Sequence, residues 1–319
     1  MSKILVVGEL AGNNLSKNTR EVLTMATELA GKISGSIDLC IQAGWSEGEI
    51  QQYPMDRVFA LSAEGSLDSE QIGRALQNII QDTEPNFILM SGNSLGKTLA
   101  GLLSIKLDSG LIGNVVDFSV KDGKVLFKKS VFSGKAFGWY CSHSNHTIIS
   151  LLPHGYGIKV FNGNPSTSVI SVPIDTTDQR IKLLEKFHSD GKMPLTEADV
   201  VISGGRGLKD ANNWHLIEDL ALLLKAGTAC SRPVADAGWR PHHEHVGQTG
   251  TAIRPNVYIA IGISGAIQHL AGVNNSKKII VINKDAEAPF FKSADYGICG
   301  DLFEVVPKLI ESIRLRKEK

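Results

Sequence analysis

Arg206 and Arg232 are well suited to hold an anion, and each stands just past a short apolar run. Asp199-Val200-Val201-Ile202-Ser203 leads into Gly204-Gly205-Arg206-Gly207, and Thr228-Ala229-Cys230-Ser231 leads into Arg232-Pro233. Four further segments have the same texture: Val246-Gly247-Gln248-Thr249-Gly250, Ser264-Gly265, Asn283-Lys284-Asp285 and Gly300-Asp301. Guanidinium groups pair with phosphate or with an anionic ring. Glycines let the backbone approach a ligand closely, and free N–H groups at a helix start attract phosphate. A carboxylate such as Asp301 can accept hydrogen bonds from sugar hydroxyls. Together these residues describe a nucleotide cofactor site. Any one Gly-rich turn taken alone reads equally as a helix cap. Six polar loops at one sheet edge are harder to explain as capping. The G-x-G-x-x-G fingerprint follows none of the runs, so an ordinary NAD site is not supported.

The loops need a sheet to gather them. Five strand-like runs (199–203, 228–231, 257–263, 278–283 and 296–299) alternate with helical patterns at about 213–226 and from Asp301 to the end. Such an order predicts a doubly wound parallel sheet, which binds ligands at the carboxyl ends of its strands. The first part of the chain also alternates. Ile4 to Gly8, Ile37 to Ile41, Val58 to Leu61 and Phe87 to Met90 are strand-like, and helical faces fall at 19–32, after Asp68 or Ser69, and at 96–107. Asp122-Gly123 between two alternating runs predicts a hairpin. That domain is expected to end in antiparallel strands, with Thr147 to Leu152 the last. Val169 to Val172 reads as a short strand among connecting segments. The expected fold class is α/β with two Rossmann-like domains, 1–190 and 198–319, joined near Gly191-Lys192-Met193-Pro194.

Composition narrows the function classes. The 319 residues suggest about two domains. Lys+Arg and Asp+Glu balance at 33 each, and neither half is strongly charged, so no nucleic-acid partner is expected. No apolar run is long enough for a membrane span, and the N-terminus reads as a first strand rather than a signal peptide. Cys40, Cys141, Cys230 and Cys299 share no C-x-x-C spacing, which predicts buried free thiols in a reduced cytoplasmic compartment.

From Val201 to Leu208, through Ser231-Arg232, Val246 to Gly250, Tyr258 to His269, Ile282 to Asp285 and Ala294 to Gly297, the chain resembles the alpha subunit of electron-transfer flavoprotein. The motifs run in order through nearly all of residues 199–312. The first 190 residues resemble that family more weakly, chiefly at Gly96-Lys97 and from Leu107-Asp108 to Val116. The resemblance implies a heterodimer with a beta subunit. One FAD would sit in the C-terminal domain of this chain, and AMP or a second FAD in the partner. It implies an electron carrier without substrate turnover of its own. Electrons would come from dehydrogenases, typically of acyl-CoA as in fatty-acid β-oxidation, and pass to a quinone oxidoreductase or another acceptor. By the same resemblance the cofactor-binding residues are Arg206, Ser231, Arg232, Val246, Gly247, Gln248, Thr249, Ser264, Gly265, Ala266, Ile267, Gln268, His269, Asn283, Asp301 and Leu302. Arg232 would lie against the isoalloxazine ring, Thr249 near flavin N5 and His269 at the pyrimidine edge. His245 departs from the pattern, since many members carry Gln there.

Two rival readings are an electron-bifurcating subunit, whose beta partner holds a second FAD and which oxidises NADH, and a flavin-dependent dehydrogenase with its own substrate. Asp236, Glu244 and Asp285 have no obvious acid–base partner in sequence, which speaks against the dehydrogenase. Pro241-His242-His243-Glu244-His245 invites a metal, but successive side chains diverge, so no metal ligands are assigned. Cys230 beside Arg232 reads as a packing residue or as a reactive thiol. Trp139, Trp214 and Trp239 are expected to pack.

Overall fold

The computed structural model describes residues 2–46, 48–63, 67–132, 136–163, 167–174 and 194–317. The chain forms two compact units, residues 1–186 and 187–319. The expected junction at Gly191-Lys192-Met193 lies outside the described residues.

The first unit opens with β1 (Lys3–Val7), a small ribbon of β2 (Leu10–Ala11) and β3 (Asn14–Leu15), and helix α1 (Lys17–Ile33). Then come β4 (Ser36–Gln42), β5 (Arg57–Ser62), α2 (Ser69–Thr83), β6 (Phe87–Ser91) and α3 (Ser94–Lys106). The strands β7 (Gly110–Lys121), β8 (Lys124–Val131), β9 (Ala136–Tyr140), β10 (Thr147–Leu151) and β11 (Ser168–Pro173) follow. Nine of them form one sheet, in the order β11-β5-β4-β1-β6-β10-β7-β8-β9. Strand alternation sends successive side chains to opposite faces. Ile4 and Val6 pack with Val22, Leu23 and Leu29 of α1, while Leu5 and Val7 pack with Leu76 of α2 and Leu99 of α3. Asp68 starts α2 with a capping box, accepting from the Gln71 backbone.

The Asp122-Gly123 hairpin joins antiparallel β7 and β8, and both turn residues have positive φ. The expectation for Thr147 to Leu152 needs correction. β10 runs parallel to both β6 and β7, and β11, parallel to β5, comes after it. All five residues of β10 are buried, as in a strand covered on both faces, and its direction is set by neighbours far away in sequence. Trp139 is not a packing residue: it lies 48% exposed on edge strand β9 beside Phe137. Cys141 is also exposed, whereas Cys40 is buried and burial pushes its thiol up to about 12.

The second unit is built from β12 (Val200–Gly204), α4 (His215–Leu224), β13 (Gly227–Cys230), α5 (Arg232–Asp236), β14 (Val257–Ile261), α6 (Ile267–Val273), β15 (Lys278–Asn283), β16 (Tyr296–Cys299) and α7 (Leu302–Lys317). Its five strands are all parallel, in the order β13-β12-β14-β15-β16. One face packs Ile202, Ile259 and Ile282 against α4 and α7. The other packs Val201, Tyr258 and Val281 with Val246, Val273 and Phe290. Trp214 is buried in the first of these cores. Among the described residues no helix is long and apolar enough to cross a membrane.

Candidate functional site: a cationic cavity at the switch point of the second sheet

The chain leaves β12 for β13 on one side and then crosses to β14 on the other. The crevice between β12 and β14 is therefore the topological switch point, where such sheets bind ligands. Glycines bring the two loops together there. Gly205 N–H donates to Ile261 O at 2.9 Å, and Gly207 N–H to Gly262 O at 3.0 Å. A Cβ at Gly205 would meet Gly262 O at 2.2 Å, and Gly262 itself has φ of +64°.

Above this contact lies a cavity of about 710 Å³. All six polar loops contribute to its wall. Arg206 comes from the loop after β12, Ser231 and Arg232 from that after β13, and Val246 to Thr249 from the segment before β14. Ser264 and Ala266 follow β14, Gln268 and His269 stand on α6, and Asn283, Asp301 and Leu302 complete the wall. Gly265 and Ile267 are not in it. Gly265, at φ +82°, is folded under Phe290, whose Cβ would lie 2.4 Å from an added Cβ. Ile267 is 81% exposed.

The wall also holds residues outside the expected contact set, some of them members of the loops named above: Gly207, Lys209, Pro233, His245, Gly262, Ile263, Lys284 and Asp285. Lys209 closes the 3-10 turn Arg206–Leu208, donating its N–H to Arg206 O at 3.0 Å, with its own φ at +66°. Its ammonium lies 4.9 Å from the Phe303 ring centroid. Lys284 and Asp285 were visible as part of a polar loop but had no motif of their own. His245 is carried in by its backbone: Val246 N–H donates to Cys230 O at 3.1 Å, and Thr251 N–H to His245 O at 2.9 Å. The wall thus holds the cations Arg206, Lys209, Arg232 and Lys284 against the anions Asp285 and Asp301.

Second contacts hold the wall in place. Arg240 grips buried Glu244 with two bonds of 2.6 and 2.7 Å, reaches Glu218 at 3.0 Å and lies over the Trp214 ring. Glu244 is thereby committed to Arg240. Among the described residues no group of three or more His, Cys, Asp or Glu is placed to hold a metal. Asn283 braces its own loop, donating to Ile263 O and accepting from Asp285 N–H, both at 3.0 Å. One Asp301 oxygen accepts from Phe303 N–H at 2.9 Å, at the start of α7. Ser231 and Ala266 precede α5 and α6 but make no side-chain cap bond.

The ionisable groups follow from burial. Burial pushes the Cys230 thiol up to about 12, with Glu244 adding and Arg240 opposing, so this thiol is not activated. Cys299, by contrast, is exposed rather than packed. Burial lowers the His245 imidazole; Asp236 opposes, while Arg232 and His242 add. Burial takes His269 furthest, to about 4, with His245 adding and the Val246 backbone opposing.

The family model for the electron transfer flavoprotein FAD-binding domain matches residues 194–274, and that for the electron transfer flavoprotein domain matches residues 4–156. An electron transfer flavoprotein subunit alpha from Bacillus subtilis is 35% identical over 98% of this chain and 97% of its own length. The chain belongs to the electron-transfer flavoprotein alpha-subunit family. A Pseudomonas aeruginosa alpha subunit is 32% identical, over 97% of this chain and 99% of its own length. Protein FixB of Azotobacter vinelandii is 33% identical, over 84% of this chain and 77% of its own. In this alpha-subunit chain the FAD-binding-domain match covers the loops after β12 and β13, the 246–250 segment and α6.

Proposed function

We propose that this chain binds one FAD in the cavity of its second unit and, paired with a beta subunit, carries electrons without turning over a substrate of its own. The donors in this reading are dehydrogenases, typically of acyl-CoA, and the acceptor is a quinone oxidoreductase or similar protein. One observation carries the reading. In a chain of this family, the residues expected to contact FAD, Gly265 and Ile267 apart, line a single cavity at the sheet's switch point. Its volume of about 710 Å³ suits a large cofactor. Its donor set suits a nucleotide, with four cationic side chains and a closely packed glycine backbone. The Nδ1 atom of His269, buried in the wall without a protein hydrogen bond, supports the fit.

A bound flavin supplies reversible one- and two-electron chemistry. The chain's own groups would hold and tune it. Arg206 and Lys209 are the cations beside the loop after β12 and suit a pyrophosphate. Arg232, with its side chain 63% exposed and only a 3.4 Å contact to Asp236, is free to turn toward a ring that gains negative charge. Asp301 keeps an acceptor oxygen for a ribose hydroxyl.

The deciding experiment is to purify the chain with its beta subunit, record the visible spectrum and titrate with reductant. A yellow complex with one flavin per heterodimer, assigned to this chain, is expected. A colourless chain that refuses FAD overturns the reading, and two flavins per heterodimer would replace it with the bifurcating form.

A further inference from the structure

Tyr258 lies wholly inside the second unit, on the sheet face beneath the cavity. Its hydroxyl is 2.7 Å from Nε2 of His269. The two rings and Phe290 form a cluster, with centroids 5.8 to 6.2 Å apart and His269 edge-on to Phe290. His269 is 7% exposed, and its other nitrogen, Nδ1, has no hydrogen bond within the protein.

The proton on the Tyr258–His269 bond can be assigned. Burial raises the phenol and lowers the imidazole, so both are neutral at physiological pH. Each has one proton. Ser203 is the other polar side chain near the phenol, and it favours the ionised phenol, which is the effect of a donor toward the phenol oxygen and not of an acceptor for its proton. The phenol proton is therefore assigned to the bond toward Nε2 of His269, 2.7 Å away. Which imidazole nitrogen keeps its hydrogen is set by the bond the other one makes. With Nε2 accepting, the hydrogen is on Nδ1.

We infer that Tyr258 is a positioning residue, whose hydroxyl holds His269 in its Nδ1–H tautomer so that the cavity wall offers a neutral donor to an acceptor atom of the bound ring. The ligand-side part of this inference rests on the FAD reading of the cavity. The tautomer itself does not. Tyr258 is thus matched to a cofactor that presents a carbonyl or imine acceptor, and the wall gains a donor there without adding a buried cation. The Val246 backbone favours a protonated ring but stands outside hydrogen-bonding geometry with Nδ1, so an acceptor supplied there by a ligand is favourable.

Histidine-selective 15N NMR on the full-length chain tests the assignment without flavin. The wild type is expected to show His269 protonated at Nδ1 and unprotonated at Nε2. Tyr258→Phe keeps the ring and its packing but removes the donor, and is expected to shift His269 toward the Nε2–H form. In the FAD-loaded protein the same change is expected to weaken FAD binding roughly fivefold, the scale of one neutral hydrogen bond. His269→Asn retains an amide N–H near the Nδ1 position. In that background Tyr258→Phe is expected to cause no further loss.

A wild-type His269 protonated at Nε2 would overturn the inference, as would an unchanged tautomer in Tyr258→Phe. Equal losses of affinity in both backgrounds would show Tyr258 to act on the fold and not through His269. The expected tautomers in a chain that binds no FAD would refute the cofactor reading while upholding the assignment of Tyr258.

Discussion

The two units carry parallel strands to similar sheet edges and finish them differently. In the first unit side chains cap the helix starts at that edge. Ser16 Oγ accepts from Thr19 N–H and caps α1, and Asn93 Oδ1 accepts from Gly96 N–H at 2.9 Å and caps α3. Asn93 also donates to the Glu9 carboxylate at 2.7 Å, and Glu9 exchanges two backbone bonds with the Thr19 hydroxyl. In the second unit Ser231 and Ala266 stand at the equivalent helix starts without a cap bond, and His269 Nδ1 is buried without a partner. The same sheet-and-helix order thus carries capped helix starts in one unit, and uncapped ones beside a binding cavity in the other.

The largest effect that tests this contrast is expected from pH. An unfolded chain protonates His269 near pH 6.5, whereas the folded chain resists protonation down to about 4. In that window the unfolded state binds more protons, so stability falls as pH falls. It is whole above pH 6.5 and is expected to lose up to about 3 kcal/mol by pH 4. His245, lowered by the same burial, acts in the same direction. Urea denaturation across this range reads the slope, and His269→Asn should flatten it. An unchanged slope in that variant would mean that the buried imidazole does not carry this sensitivity.

The glycine contacts give the next effect. Gly205→Ala would drive a Cβ into Gly262 O, and Gly96→Ala would drive one into Ser91 O, 1.8 Å away. Both are expected to destabilise by about 2 kcal/mol, as overpacking does. Only Gly205→Ala should also abolish FAD binding, because it separates the loops at the switch point. Loss of FAD in Gly96→Ala as well would erase the distinction between the units.

Caps offer a finer test. Asn93→Ala removes a formed cap and should lower stability by about 1 kcal/mol, with FAD affinity unchanged. Ser231→Ala removes no cap bond and should move stability by less than about 0.5 kcal/mol while weakening FAD binding. Denaturation midpoints and FAD titrations on the two variants read both quantities. A full capping loss in Ser231→Ala would place that hydroxyl in the scaffold.

What the sequence revealed divides along the same line. The second unit was legible because each strand ends in a loop of distinctive polar residues, and β15 and β16 lie where Lys278–Asn283 and Tyr296–Cys299 were read. The Asp122-Gly123 hairpin was legible because its turn chemistry is local. The parallel direction of β10 was not, since it depends on Phe87 to Ser91 and on Gly110 to Val115 as neighbours. Lys209 was missed because a 3-10 turn, not a motif, brings it to the wall. The Tyr258–His269 bond joins residues eleven apart, one on a strand and one on a helix, and neither side chain alone announces it.

Arg232 is where scaffold and site should separate most cleanly. Its side chain is 63% exposed, and its ion pair at 3.4 Å to a 55% exposed Asp236 is of the kind that contributes little. Arg232→Ala is therefore expected to change stability by less than about 0.5 kcal/mol and to leave FAD bound. The cation's value would lie in the charge that a reduced ring acquires. Removing a charge-assisted contact of about 1.4 kcal/mol should lower the flavin's first one-electron potential by about 60 mV. Potentiometric titration of the loaded protein reads this directly. An unchanged potential would take Arg232 out of the electronic site and leave it a surface cation at the cavity's rim.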